Sequence, residues 1–130
     1  MPFMVMKHEV DPKQKLLDDL GDISNVEIFN NQLLVAVYIR PKKTKSGIIL
    51  ADETVEPDQF QSKVGLVVKM GPDAFHDPDD KWFKGYRVGM HDWIVSRPSD
   101  GWSITVNNVL CRVIDDVNVR GRVDHPDRVW

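Results

Sequence analysis

Two short runs in this 130-residue chain place imidazole beside carboxylate, His76-Asp77-Pro78-Asp79-Asp80 and His91-Asp92. Residues of these types ligate divalent metals, but ligation needs a fixed spacing. Neither run has the EF-hand order of carboxylates with its central Gly and terminal Glu, and there is no HExxH helix. Nucleophilic catalysis is no better supported. A catalytic Ser needs a strained turn such as GxSxG, and none of Ser46, Ser62, Ser96, Ser99 or Ser103 stands in one. The phosphate-cradling patterns GxxxxGK[ST] and GxGxxG are also missing. The expectation is a protein that is not an enzyme and holds no metal or cofactor.

Composition narrows the class further. Hydrophobic residues make up 42% and charged residues 28%, the balance of a soluble globular domain. No apolar run approaches the roughly 20 residues that span a bilayer. Met1 to Val10 has neither the apolar core nor the small-residue cleavage site of a secretory signal, so a cytoplasmic location is expected. The formal net charge of −3 argues against a nucleic-acid partner. A basic cluster at Arg40, Lys42, Lys43 and Lys45 lacks the interleaved aromatics that stack on bases and reads as a solvated loop. Cys111 is the single cysteine. Between Leu110 and Arg112 in an alternating apolar run, it reads as a small buried hydrophobe.

The elements that position these residues are mostly strands. PKQKLLDDL at Pro12 to Leu20, stopped by Gly21, predicts one short helix with an apolar stripe at Leu16, Leu17 and Leu20. Val26 and Ile28 alternate in a first extended piece. Gln32 to Ile39 is apolar on both faces and should be a central strand. Val64 to Met70, Asp92 to Ser96, Trp102 to Val106, Val109 to Ile114 and Val117 to Val123 follow as strand candidates. Ser99-Asp100-Gly101 and Asn107-Asn108 are tight enough to make consecutive hairpins. So many short strands predict an all-β barrel or sandwich, with Trp93 and Trp102 filling its core or an interface.

Two long segments interrupt this rhythm, and long loops in a small domain usually carry function. Gly71 to Gly85 sets Phe75, Trp82 and Phe83 among Asp73, Asp77, Asp79 and Asp80. Pro41 to Ser62 is polar except for Ile48-Ile49-Leu50. Three large apolar residues in a row inside a polar segment either form a short strand on the barrel or await a partner, and composition alone leaves both open.

Thr44-Lys45-Ser46-Gly47-Ile48-Ile49-Leu50 resembles the mobile-loop sequence of GroES-type co-chaperonins, in which a Gly-hydrophobic-hydrophobic-Leu motif docks on a chaperonin. The similarity spans about Asn25 to Val123. Asn25 to Arg40 resembles the strand pair leading into that loop, Gly65 to Gly71 the strand leaving it, and Arg87-Val88-Gly89 the family's Lys-Val-Gly turn. This resemblance implies a small GroES-like β-barrel over 25–123 with a mobile loop at about 41–62 and a roof segment at about 71–85. Residues 1–24 then form an N-terminal extension with a short helix, and 124–130 a C-terminal tail. It further implies that Gly47, Ile48, Ile49 and Leu50 contact a GroEL-type chaperonin in its nucleotide-bound state. Phe75, Asp77, Asp79, Asp80 and Trp82 would lie in the roof facing the chamber. Val26 and Ile28 would pair with Val117 and Val119 of a neighbour in a heptameric ring that encloses an unfolded client. The extension, the longer segment after Leu50 and the tail ending in Trp130 resemble a bacteriophage-encoded version, with a phage capsid protein as client and the host cytoplasm as location. The competing reading is a monomeric OB-like barrel that binds single-stranded nucleic acid.

Overall fold

The computed structural model describes residues 11–39, 62–76, 79, 83 and 88–128. The helix expected from the sequence, α1, runs Pro12–Leu20. Pro opens it without the loss of a helical N–H, and the Asp11 carboxylate accepts the Gln14 N–H at 3.3 Å. It ends at Gly21, whose φ of +62° suits glycine and whose N–H donates to the Leu17 carbonyl.

The strands are β1 (Gln32–Val37), β2 (Val64–Met70), β3 (Trp93–Val95), β4 (Trp102–Val106), β5 (Val109–Asp115) and β6 (Gly121–Val123). They form one antiparallel sheet in the order β4-β5-β1-β2-β3-β6. As the two-faced apolar pattern of Gln32 to Ile39 requires, β1 lies inside the sheet, between β5 and β2. Its two faces feed two separate cores. Leu34, Ala36 and Tyr38 join Leu66, Val68, Trp93 and Cys111 on one side. Leu33 and Val35 join Val67, Ile94, Ile114, Phe75 and Phe83 on the other. Leu20 is buried in the first cluster, with Leu16, Leu17, Ile23, Val26 and Ile28 packed against it. A nine-residue helix is marginal in isolation, so this burial is what holds α1 in place. Asn107 adds a tie at its end, its side-chain amide donating to the Leu20 carbonyl at 2.7 Å.

Two expectations are corrected. Asn107-Asn108 does close the β4/β5 hairpin, both residues taking the positive φ that Asn tolerates. The Ser99-Asp100-Gly101 turn closes no hairpin, because β3 pairs with β2 and β6 while β4 pairs with β5. Both edges of β3 are taken, by β2 and β6, so β4 pairs elsewhere, with β5. The second correction concerns Val117 to Val123, which is not one strand. Asp116–Asn118 is a 3-10 turn, and only Gly121–Val123 extends the sheet. Asp116 causes the break, since its backbone and carboxylate are committed to Asn31 and Phe75.

Among the described residues, no helix is long and apolar enough to cross a membrane. Cys111 is fully buried, and burial pushes its thiol up to about 11 against a weaker opposing effect from the Val106 backbone.

Candidate functional site

The register of β1 on β2 fixes where the two long segments leave the barrel. Leu33 faces Met70 at one end of this strand pair and Val37 faces Gly65 at the other. The chain therefore departs after β1 and returns before β2 at the Val37/Gly65 end. It departs after β2 at the Leu33/Met70 end. The segment carrying Ile48-Ile49-Leu50 and the segment beginning at Gly71 are thus rooted at opposite ends of the same pair.

At the first end the roots are tightly tied. The Val64 carbonyl accepts the Tyr38 N–H at 3.0 Å and the Ser62 hydroxyl at 3.2 Å, so one acceptor joins both sides of the opening. The Ser62 carbonyl accepts Arg112 Nη1 at 2.6 Å. Arg112 is only 4% exposed, and the resulting desolvation lowers its pKa. The Ser96 N–H donates to the Lys63 carbonyl at 2.9 Å, fastening the same point to the chain beyond β3.

At the second end, residues 71–76 are stitched to the segment before β1. The Gly71 N–H donates to the Gln32 carbonyl at 2.8 Å and the Asp73 N–H to the Asn30 carbonyl at 3.0 Å. A Cβ at Gly71 would lie 2.2 Å from the Asn30 carbonyl oxygen, so only glycine permits this approach. Asp116 completes the seam. Its carboxylate accepts the Asn31 side-chain amide at 3.0 Å and the Phe75 N–H at 2.9 Å, and its own N–H donates to the Asn31 carbonyl.

The site residues anticipated from sequence fall in three groups. Gly47, Ile48, Ile49 and Leu50 lie outside the described residues, as do Asp77, Asp80 and Trp82. Phe75 is 3% exposed and meets Phe83 edge-on at 5.2 Å, so its side chain lies in the core. Asp79 is exposed. Val26 and Ile28 belong to no strand within the chain and pack against the first cluster. Val117 is exposed on its 3-10 turn, while Val119 is buried in the second cluster. Of the two tryptophans placed on strands, Trp93 is buried and Trp102 is 65% exposed on the sheet's edge.

Sequence reasoning did not single out Tyr38, Arg112 or Asp116. Arg112 and Asp116 sit in or beside an apolar strand, a position that hints at burial, but nothing in their spacing names their partners. No group of three or more His, Cys, Asp or Glu side chains arranged to hold a metal comes together among the described residues. A cleft of about 340 Å³ bordered by Lys13, His91, Asp92 and Arg122 contains the Arg122–Asp92 ion pair at 3.1 Å.

The family model described as "Chaperonin 10 Kd subunit" matches residues 25–123, from just before Val26 to the last residue of β6. No curated protein matches the chain.

Proposed function

From its membership of the chaperonin 10 kDa subunit family, to which this chain belongs, we propose that it caps a chaperonin ring by inserting Ile48, Ile49 and Leu50 of each subunit into the chaperonin. A co-chaperonin role and partnership with a GroEL-type chaperonin follow from the family in general, and co-chaperonins of this kind are in general not enzymes. The observation that carries the finer reading is the opposed rooting of the two long segments. A lid needs contacts toward the ring it closes on one side and a cover over the chamber on the other. The ends of the β1/β2 pair separate those tasks.

Energetics explain why such a cap would be reversible. Burying the triplet would yield about 5 to 9 kcal/mol gross. Ordering each loop residue costs about 1 to 2 kcal/mol, so a single loop binds weakly. In a heptamer, linked loops turn later binding events into intramolecular ones, and weak contacts add up to a firm cap that still leaves. Nucleotide hydrolysis then belongs to the chaperonin. Ring closure would use the Val26/Ile28 segment of one subunit and the region from Val117 to the free edge of β6 on its neighbour, a head-to-tail contact that covers an open sheet edge. The client class, a phage origin and the host cytoplasm as location belong to this same proposal.

Ile49→Ser tests it. In the full chain, capture by a bacterial chaperonin in the presence of nucleotide should be lost, because one anchor disappears from every loop at once. The melting temperature and the native mass of about 100 kDa expected for seven 14.9 kDa chains should stay as in the wild type. A clear fall in melting temperature with capture retained would make the triplet a core strand and end the reading. A monomer that binds single-stranded nucleic acid would instead favour the OB-like alternative.

A further inference from the structure

The family match stops at residue 123, and the chain beyond it does something specific. After β6 the backbone turns through a short 3-10 segment, Pro126–Arg128. This turn is braced from within. The Asp127 N–H donates to His125 Nδ1 at 3.1 Å, and the Arg128 guanidinium pairs with Asp124 at 3.2 Å. Pro126 is among the fully buried side chains, and Asp127 is only 8% exposed.

The buried Asp127 carboxyl accepts the Tyr38 hydroxyl. Tyr38 is the last buried residue before the chain leaves the barrel, and Ile39 beside it is already exposed. Its ring meets Trp93 edge-on at 5.8 Å and its N–H holds the Val64 carbonyl that also accepts the Ser62 hydroxyl. A phenylalanine would fill the same space with no polar atom to bury, so the buried hydroxyl is offset by the carboxyl that accepts it, and that carboxyl also lies 3.8 Å from His125 Nδ1. Both strand and tail are thereby tied at the point where one side of the opening begins.

We propose that the 124–128 tail is a latch in which Asp127, acting through Tyr38, positions the root of the segment that follows β1. The functional consequence rests on the reading that this segment docks on a chaperonin; the latch itself does not. A tied root lowers the number of directions the departing chain can take, and so lowers the ordering cost of docking. Asp127 is a positioning residue, acting through Tyr38.

The experiment uses the full chain in four variants beside the wild type: Tyr38→Phe, Asp127→Ala, Asp127→Asn and Ile49→Ser. Native-state amide exchange is read at Tyr38 and Asp127, and chaperonin capture is measured with nucleotide present. Tyr38→Phe and Asp127→Ala should speed exchange at both amides roughly tenfold, the ratio that corresponds to about 1.4 kcal/mol. The Leu34 and Ala36 amides of β1 should not change. Asp127→Asn keeps an acceptor oxygen and should restore most of the protection. Capture should weaken several-fold in the first two variants at unchanged native mass.

Unchanged exchange at both amides in Tyr38→Phe and Asp127→Ala would overturn the latch. If exchange speeds up but capture stays at wild-type strength while Ile49→Ser abolishes it, docking stands and the positioning role is overturned. If the wild type is not captured, or Ile49→Ser is captured equally well, the docking reading falls and exchange alone decides the latch.

Discussion

Asp116→Ala should be among the most damaging single substitutions in this chain, although Asp116 lies in a short turn and in none of the apolar clusters. Asp116 is 4% exposed, and its carboxylate is the acceptor for two donors from different parts of the sequence, the Asn31 amide at 3.0 Å and the Phe75 N–H at 2.9 Å. Removal leaves both without that acceptor. Hydrogen bonds to a charged group contribute about 1.5 to 3 kcal/mol each, so the loss should be about 3 to 6 kcal/mol. Domains of this size are stable by only about 5 to 15 kcal/mol, which makes this a large fraction of the total. The corresponding fall in melting temperature is roughly 10 to 20 °C. Asn31→Ala removes one of the two bonds and should cost about 1.5 to 3 kcal/mol. Combined with Asp116→Ala it should add little, because the pair shares that bond. Urea and thermal unfolding of the three variants at one fixed protomer concentration measure these quantities, a precaution needed because assembly raises apparent stability. An Asp116→Ala protein melting within about 2 °C of the wild type would refute the argument that this carboxylate seams the strand entering the barrel to the segment beginning at Gly71.

Two further outcomes follow from buried and paired groups. The Cys111 thiol, pushed up to about 11 by burial, should resist alkylation at pH 8 in the native protein and react fully in denaturant; rapid labelling without unfolding would contradict its place in the core. Burial of Asp100 alone would raise its pKa, but hydrogen bonds from the Arg97 N–H and guanidinium and the charges of Arg97 and Arg120 hold it below the ordinary carboxylate range. A carboxyl whose folded pKa is depressed stabilises the fold above its unfolded value near 3.9, and that contribution disappears as pH falls through the folded value. Asp100→Asn should therefore flatten the acid limb of a melting-temperature profile below about pH 4, and an unaltered limb would show that the cluster contributes nothing to acid stability.

The sequence alone determined the local elements whose signals are short-range. Pro12 and Gly21 bracket α1 because one is tolerated at a helix start and the other adopts the φ at its end. The alternation in Gln32 to Ile39 announced a strand buried on both faces, and Asn107-Asn108 announced a hairpin, since both depend on residues within a few positions of one another. Tertiary structure decided what depends on residues far apart in the chain. That Ser99-Asp100-Gly101 is a crossover and not a hairpin follows from both edges of β3 being taken by β2 and β6, strands distant in the chain. That Phe75 belongs to the core follows from Phe83 and from Asp116, 41 positions away. Tyr38 and Asp127 are separated by 89 positions, and no periodicity or spacing rule links them. Polar residues in particular carry no mark of burial in the sequence, because a carboxylate is tolerated inside only when its partners converge on it, and that convergence exists only after the chain has folded.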